Sequence, residues 1–416
     1  MAGNDLQNRF HRPDQIVVAS YDHREVRQAL DDLGVAVQER DTIDELGLVL
    51  LDLPTLADDI RLIRDDVYLT RYAEAVTQAR RPAGTPPAEI DDLDLLMFRL
   101  RFDFAYRYAG WMPRMGKNRY VDSSEAFGEI SGGQPLAQGE ISGGQPLAQG
   151  EISGGGGGPA VAENETLKLP HGTGAGTEVA VLDTDIYRHR AFSADSIDTV
   201  VARSPRASGK TLTGHGTFGA GLILKQARNA RIRSVPVLDR LGRAEVWDVA
   251  RQMVRLTGAD YDGVRIVHMP WGAITGDGEE PLVLATAVRR VLRPGRVLVA
   301  AAGNHANSSN PLILPPNAAS YPGAMPEVLA VAAQKPRGQI AGFSPQPCTA
   351  PWVDVAAPGV RLLSTYLSNG FARWSGTSFG AAIVSGRLAA AGGGDLATVA
   401  RDTVDRWRRE YDRRKS

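Results

Sequence analysis

Continuous apolar runs alternate with helical patterns along the C-terminal part of the chain. Apolar or β-branched runs predict strands at 178–183, 230–237, 264–269, 296–303 and 328–333. Apolar residues at helical spacing predict helices near 215–226, 243–256, 281–293 and 378–391. Strands that are apolar on both faces and alternate with helices are typical of a parallel sheet covered by helices. We therefore predict an α/β fold with a doubly wound, mostly parallel sheet, whose functional site lies at the carboxyl ends of the strands.

The N-terminal part shows a different order of elements, β-α-β-β-α. The pattern predicts strands at 15–20, 35–38 and 46–53, and helices at 23–33 and 56–64. Residues 96–108 then alternate between apolar or aromatic side chains and mostly charged ones, which predicts a long half-buried strand. We therefore expect a small α+β domain over residues 1–127.

The stretch 96–108 has a second interpretation. Arginines interleaved with aromatic side chains are also typical of platforms for single-stranded nucleic acid, and the chain ends in the basic residues RRKS. No wider basic patch joins these arginines, and the net charge of −1 gives no reason to expect a polyanionic partner. A core-facing strand is the preferred interpretation, and we expect no nucleic-acid partner.

A duplicated segment separates the two parts. The eleven residues GEISGGQPLAQ occupy 128–138 and again 139–149, and a third partial copy continues into a run of glycines. The repeat is too short for a solenoid, and its composition is typical of a flexible linker. We expect four segments: the N-terminal domain 1–127, the linker 128–158, a second domain 159–395 and a charged tail 396–416.

Cysteine content and motifs limit the possible cofactors and locations. The single cysteine, Cys348, excludes an internal disulfide and a zinc cluster of several thiolates. Neither an EF-hand loop nor an HExxH pair is present, so we expect no metal and no other cofactor. The N-terminus has no apolar signal region, and no run of about 18 apolar residues occurs. We expect a cytoplasmic protein with no membrane partner, and secretion by another route stays open.

Three side chains that can act together in nucleophilic catalysis stand at predicted element ends. Asp183 closes the strand 178–183, while His215 and Ser378 begin predicted helices. A serine hydroxyl is a weak nucleophile until a histidine takes its proton, and that histidine needs an acid to hold its tautomer. Asn304 follows the strand 296–303, where its amide could donate to an oxyanion.

The segments that carry these residues resemble one family. In chain order they are VAVLDTD, GHGTFGAG, VAAAGN and SGTSFGAAIVSG, and together they resemble the subtilisin-like serine proteases, or subtilases, over about residues 175–390. The resemblance implies a subtilisin-like fold and a serine endopeptidase that acts on peptides or proteins. It implies that Asp183 orients His215, that Ser378 forms an acyl-enzyme, and that Asn304 and the Ser378 N–H hold the oxyanion. It further implies substrate-binding roles for Met269, Pro270, Trp271, Gly272, Ala301, Ala302 and Gly303.

The chain departs from the family pattern at several positions. Asp185 stands where the pattern has glycine, and Phe218 replaces a second histidine. Pro270 removes a backbone N–H from the segment that lies beside substrate in many relatives. Asp185 and Pro270 leave open a second hypothesis, a pseudoprotease that serves as a peptide-binding or scaffold module.

The N-terminal domain has a candidate role. Its order of elements is similar to that of the subtilase propeptide domain, which assists folding and inhibits the mature enzyme. Residues 1–127 carry an excess of acidic side chains and residues 159–416 an excess of basic ones, which favours docking in cis. We expect this domain to chaperone or inhibit the second domain, with cleavage within 128–158.

Overall fold

The computed structural model describes residues 10–80, 90–123, 158–162, 164–207, 212–275, 278–307, 315–392 and 394–415. These residues form two compact units. The first unit comprises the described residues up to Val121 together with Ala244–Tyr261 and Ala273–Val291. The second comprises Asp122–Arg243, Asp262–Gly272 and the described residues from Leu292 onward. The four segments expected from the sequence stay a prediction.

The elements are numbered here in chain order. The strands β1 to β16 are His11–Ala19, Gln38–Ile43, Leu48–Asp52, Met115–Ser123, Ala160–Val161, Glu178–Asp183, Arg231–Pro236, Arg243–Glu245, Val264–Met269, Trp271–Ile274, Val297–Ala301, Ser320–Tyr321, Leu329–Gln334, Val355–Pro358, Leu362–Thr365 and Phe371–Trp374. The helices α1 to α10 are His23–Asp32, Leu56–Asp59, Arg61–Arg64, Val67–Ala79, Asp92–Arg107, His215–Gln226, Val246–Arg255, Leu282–Val291, Thr377–Ala391 and Leu396–Lys415. Among the described residues, no helix combines the length and the apolar content that crossing a bilayer requires.

The first unit is built on an antiparallel arrangement of strands. Strand β1 pairs with β3 and β4, and β3 pairs with β2. Apolar side chains from β1 and β3 form one buried core with side chains of α1 and α5. Two of the predicted boundaries were wrong: the strand predicted at 35–38 begins only at Gln38, and the helix predicted at 56–64 is the two short helices α2 and α3.

The strand predicted at 96–108 is wrong, because these residues lie mainly in the helix α5. A capping box between Asp91 and Asp94 begins this helix. Leu93, Leu96, Met97, Leu100 and Phe104 recur at spacings of three and four and are buried, as a helix requires. The alternating aromatic residues misled the prediction, since Phe102 and Tyr106 are 57% and 84% exposed. The nucleic-acid interpretation depended on an extended aromatic–arginine strand, which these residues do not form.

The carboxylate that caps α5 belongs to a buried charge cluster. Asp91 Oδ2 lies 2.8 Å from His11 Nε2, and Lys117 Nζ lies 2.6 Å from Asp94 Oδ1. Burial by itself would raise the pKa of Asp91, but Lys117 and His11 outweigh it, and the pKa lies well below its usual range.

An Asp91→Asn substitution is therefore expected to destabilise the protein by ~2 kcal/mol at pH 7. The folded-state pKa is depressed, so this contribution is complete above the unfolded value of about 3.9 and decreases as pH falls below it. Denaturant unfolding of the wild type and the variant between pH 7 and pH 2 measures the difference. If the difference in unfolding free energy between the two proteins does not change with pH, the lowered pKa of Asp91 is contradicted.

The second unit contains a parallel sheet with the strand order β14-β13-β11-β9-β6-β7. The strands β6, β7, β9, β11 and β13 and the helices α6 and α9 fall where the sequence predicted them, which confirms the α/β fold with a mostly parallel sheet, whereas β14 was not predicted. The chain leaves β6 for β7 on one side and later forms β9 on the other. Ligands of open α/β sheets bind at the carboxyl ends of the strands where the order reverses in this way. The functional site is therefore expected at the carboxyl ends of β6 and β9.

Candidate active site

Asp183 and His215 form the centre of the site. Asp183 is the last residue of β6, and His215 is the first residue of α6. The His215 Nδ1 atom lies 2.8 Å from Oδ1 and 2.9 Å from Oδ2 of Asp183. The two side chains are 0% and 1% exposed, respectively. A carboxylate buried to this degree needs polar partners, and the imidazole N–H supplies one of them.

Thr184 holds the two residues in this arrangement. Its backbone N–H donates to Asp183 Oδ1 at 2.6 Å, and its hydroxyl donates to the Thr213 carbonyl at 3.1 Å. The same hydroxyl accepts from the Gly216 N–H at 3.0 Å. A Cβ at Gly216 would lie 2.4 Å from the Thr184 carbonyl, so the approach of α6 to the end of β6 requires glycine. The sequence analysis missed Thr184, because the motif does not indicate which groups the threonine hydroxyl binds.

Ser378 and Asn304 are linked through Thr377, another residue that the sequence analysis missed. Thr377 is the first residue of α9 and Ser378 the second. The Thr377 backbone N–H donates to Asn304 Oδ1 at 3.0 Å, and the Thr377 hydroxyl accepts from the Gly303 N–H at 3.0 Å. Within the described part of the chain, the Asn304 Nδ2 group is buried and has no hydrogen-bond partner. Because Thr377 engages the amide oxygen, the amide nitrogen is left as a donor beside the start of α9.

Aromatic rings enclose the imidazole of His215. Its centroid lies 5.5 Å from that of Trp374 in an edge-to-face contact, and 5.3 Å from that of Phe379. Phe218, one turn along α6, packs at 4.5 Å from Phe379 and is fully buried. The residue at position 218 that departs from the family pattern therefore belongs to the core. This packing restricts the imidazole ring to one orientation.

The predicted substrate-binding residues fall into two groups. Met269 ends β9, Pro270 follows it, and the buried indole of Trp271 donates to the Leu182 carbonyl at 2.8 Å. The Pro270 carbonyl accepts a hydrogen bond from Ser378 Oγ at 2.8 Å, so this segment lies beside the serine. Trp271 and Gly272 pair as an antiparallel strand with residues 122–123.

The second group follows β11. Ala301 pairs with Val331 inside the parallel sheet, and the Ala302 N–H donates to the Val331 carbonyl at 3.0 Å. Gly303, two residues after the end of β11, has a φ of +91°, a left-handed conformation that glycine adopts readily. Asn304 follows this turn directly. Both groups thus lie near the predicted site, and their roles in substrate binding stay a prediction.

Asp185 lies two residues after Asp183, which is the carboxylate on His215 Nδ1. The Asp185 carboxylate is half-buried and faces the Tyr187 hydroxyl, and burial together with Asp185 raises the pKa of that tyrosine. The second carboxylate in the turn after β6 thus has a partner of its own.

Two other histidines, His268 and His305, are buried in the interior of the second unit. His268 Nδ1 lies 3.1 Å from Ser385 Oγ, and burial lowers the pKa of His268 to about 4. His305 Nε2 donates to the Ala318 carbonyl at 2.8 Å, and burial lowers the pKa of His305 to about 4. Both rings are therefore neutral near pH 7. Across the described ranges, no group of three His, Cys, Asp or Glu side chains could hold a metal ion.

Comparisons with known proteins agree on one family. A sequence model of a protein family, described as "Subtilase family", matches residues 174–393. The chain is 33% identical over 222 residues to the thermostable alkaline protease of Halalkalibacterium halodurans, a match that covers 51% of this chain and 56% of that protein. It is 33% identical to the minor extracellular protease Epr of Bacillus subtilis, with 50% of this chain and 30% of that protein covered. The thermophilic serine proteinase of Bacillus sp. strain AK1 is 30% identical, with 52% of each chain covered.

The match therefore spans about half or less of the length of these curated relatives. Among solved structures, the prenylagaramide maturation protease PagA is 26% identical with a TM-score of 0.44, covering 53% of this chain and 76% of that chain.

Proposed function

Because the chain belongs to the subtilase family, we propose that it is a serine endopeptidase that hydrolyses peptide bonds through Asp183, His215 and Ser378. The observation that carries the proposal is the buried hydrogen bond of 2.8 Å between Asp183 and His215. It lies in the unit where Thr377 links Asn304 to the start of α9, the helix that carries Ser378. Similarity to proteases in three curated relatives supports the same reaction class.

Asp183 selects the tautomer that catalysis needs. Because its carboxylate accepts from the Nδ1–H of His215, the neutral imidazole keeps its lone pair on Nε2. That nitrogen takes the proton of Ser378 Oγ as the oxygen attacks the scissile carbonyl, and it then gives the proton to the leaving amine. Water attacks the resulting acyl-enzyme by the same base catalysis and releases the second product.

The substrate backbone assists this step through Pro270. In the absence of substrate, the Ser378 hydroxyl donates to the Pro270 carbonyl. A substrate strand that pairs along residues 270–272 donates its own N–H to that carbonyl and turns the hydroxyl toward His215. The step uses the carbonyl of residue 270, so the N–H that proline lacks is not needed for it.

Asn304 and the start of α9 stabilise the oxyanion. The buried Nδ2 group of Asn304 donates to the negative oxygen of the tetrahedral intermediate. Ser378 lies in the first turn of α9, where backbone N–H groups have no intrahelical acceptor, and its N–H supplies the second donor. The helix dipole favours negative charge at the same end.

The physiological substrate is a peptide or protein, and residues 1–127 act in cis as an inhibitor or folding assistant of this activity. We expect cleavage within 128–158, of which residues 128–157 lie outside the described residues.

The experiment is intact-mass analysis of the full chain after treatment with a fluorophosphonate probe. We expect one stoichiometric adduct that is lost in Ser378→Ala and kept in Ser385→Ala, a second buried serine of the same helix. The same spectrum reports cleavage between residues 127 and 159. If the full chain is not labelled, limited proteolysis in the glycine-rich segment is followed by a second treatment. Absence of an adduct in both forms would overturn the endopeptidase proposal and favour the pseudoprotease hypothesis.

A further inference from the structure

Residues 122–123 occupy a groove of the second unit as an added strand. Asp122 pairs with Gly272 and Ser123 with Trp271 in antiparallel register. On the other side, the Ser123 N–H donates to the Gly242 carbonyl at 2.7 Å. An extended peptide held by main-chain hydrogen bonds to neighbouring backbone segments is the usual geometry of β-strand addition.

The pairing register of residues 122–123 directs the chain toward Ser378. As the chain advances from Asp122 to Ser123, its partner changes from Gly272 to Trp271. The residue before Trp271 is Pro270, whose carbonyl accepts from Ser378 Oγ at 2.8 Å. A peptide in this register therefore approaches Ser378 as a substrate of the proposed endopeptidase must.

The guanidinium of Arg243 binds the Asp122 side chain of this strand. Its Nε donates to Asp122 Oδ1 at 2.5 Å. The Asp122 residue is 3% exposed, whereas the Arg243 side chain is 40% exposed and remains hydrated. Burial raises the pKa of Asp122 despite this arginine, so an acidic side chain at this place depends on the guanidinium to stay charged.

Gly242 brings the arginine close to the strand. It has a φ of +74°, and a Cβ there would lie 2.6 Å from Ser123 Oγ. The close approach of backbone at residue 242 lets the next side chain, Arg243, reach the carboxylate of the paired strand. The pair thus depends on backbone geometry of the groove as well as on charge.

We propose that Arg243 is a specificity-determining residue, which selects an acidic side chain at the substrate position that pairs with Gly272. Asp122 occupies that position in cis as a substitute for substrate. This inference rests on the proposed endopeptidase function, whose substrate class it specifies as peptides with Asp or Glu upstream of the scissile bond.

The test profiles cleavage of a peptide library by the full chain, before and after limited proteolysis in the glycine-rich segment, with the sequences of the cut peptides read by mass spectrometry. The variants are Arg243→Gln, Arg243→Glu and the control Arg228→Gln, which removes an exposed arginine in the turn between α6 and β7. The wild type and the control should enrich Asp and Glu roughly 10-fold at one upstream position. The Gln variant should lose this preference, and the Glu variant should prefer Lys or Arg. A profile that is the same in the wild type and Arg243→Gln would overturn the proposal.

A second measurement needs no catalysis. Hydrogen exchange of the Ser123 amide in full-length Ser378→Ala reports how firmly the strand is held. Adding Asp122→Lys should accelerate exchange about 10-fold, and adding Arg243→Glu to that variant should restore protection. If no variant cleaves the library even after limited proteolysis, but the charge swap still restores protection, the peptidase function alone has failed. Cleavage without acidic preference and without rescue would overturn the role of Arg243 alone.

Discussion

An Asp183→Asn substitution is expected to lower kcat/KM for peptide hydrolysis by about 10,000-fold. The asparagine has nearly the same shape, but its NH₂ group can face the imidazole and favour the tautomer with the proton on Nε2. In that tautomer His215 cannot accept the proton of Ser378. The buried contact of 2.8 Å between carboxylate and Nδ1 is the geometry that the substitution changes. Steady-state kinetics on a fluorogenic peptide, with circular dichroism to verify folding, measures the loss.

The matched control is Asp185→Asn, which removes the same charge two residues away. Its carboxylate hydrogen-bonds to Tyr187, whereas the carboxylate on His215 Nδ1 is that of Asp183, so we expect a change of less than about 3-fold in kcat/KM. Equal losses in the two variants would mean that general electrostatics, and not the tautomer of His215, governs the rate. Unchanged activity in Asp183→Asn would remove Asp183 from the mechanism.

An Asn304→Ala substitution is expected to lower kcat by about 100- to 1,000-fold with little change in KM. The Nδ2 group is buried and without a partner among the described residues, so under the proposed mechanism its hydrogen bond is made only when the oxyanion forms. An interaction that exists only in the transition state appears in kcat and not in ground-state binding. Kinetics over a full range of substrate concentration separates the two constants.

Thr377→Val is the control for this variant, because Asn304 also accepts from the Thr377 backbone N–H. The valine keeps that backbone donor and removes only the hydroxyl that accepts from the Gly303 N–H at 3.0 Å. We expect a loss of about 10-fold or less in kcat. A larger loss in Thr377→Val than in Asn304→Ala would show that positioning of α9, and not donation to the oxyanion, explains the effect.

The parallel sheet could be predicted from sequence because its strands are buried on both faces. Such strands produce continuous apolar runs, and their helices carry a clear period, so β6, β9, α6 and α9 were predicted within about two residues. The candidate site residues were found from motifs at the ends of these same elements. Thr184 and Thr377 were missed because a threonine in a motif gives no signal of which carbonyl or amide it will bind.

The helix α5 shows the opposite case. Its apolar residues satisfy a period of two over 96–108 and also a helical period that includes Leu93. Periodicity alone does not decide between them, because both patterns place Leu96, Leu100 and Phe104 on one face. The capping box at Asp91 and Asp94 was the local signal that favoured the helix.

The sequence by itself determined most strands of the parallel sheet and the helices α6 and α9, the positions of Asp183, His215, Asn304 and Ser378 at element ends, and the resemblance to the family. These are local properties, since burial pattern and capping act over a few residues. Only the tertiary structure gave the 2.8 Å distance and the burial of the Asp183–His215 contact across 32 residues, and only it decided that Asp122 meets Arg243 across 121. Contacts of this range depend on strand register and on the packing of helices against the sheet, which no local pattern encodes.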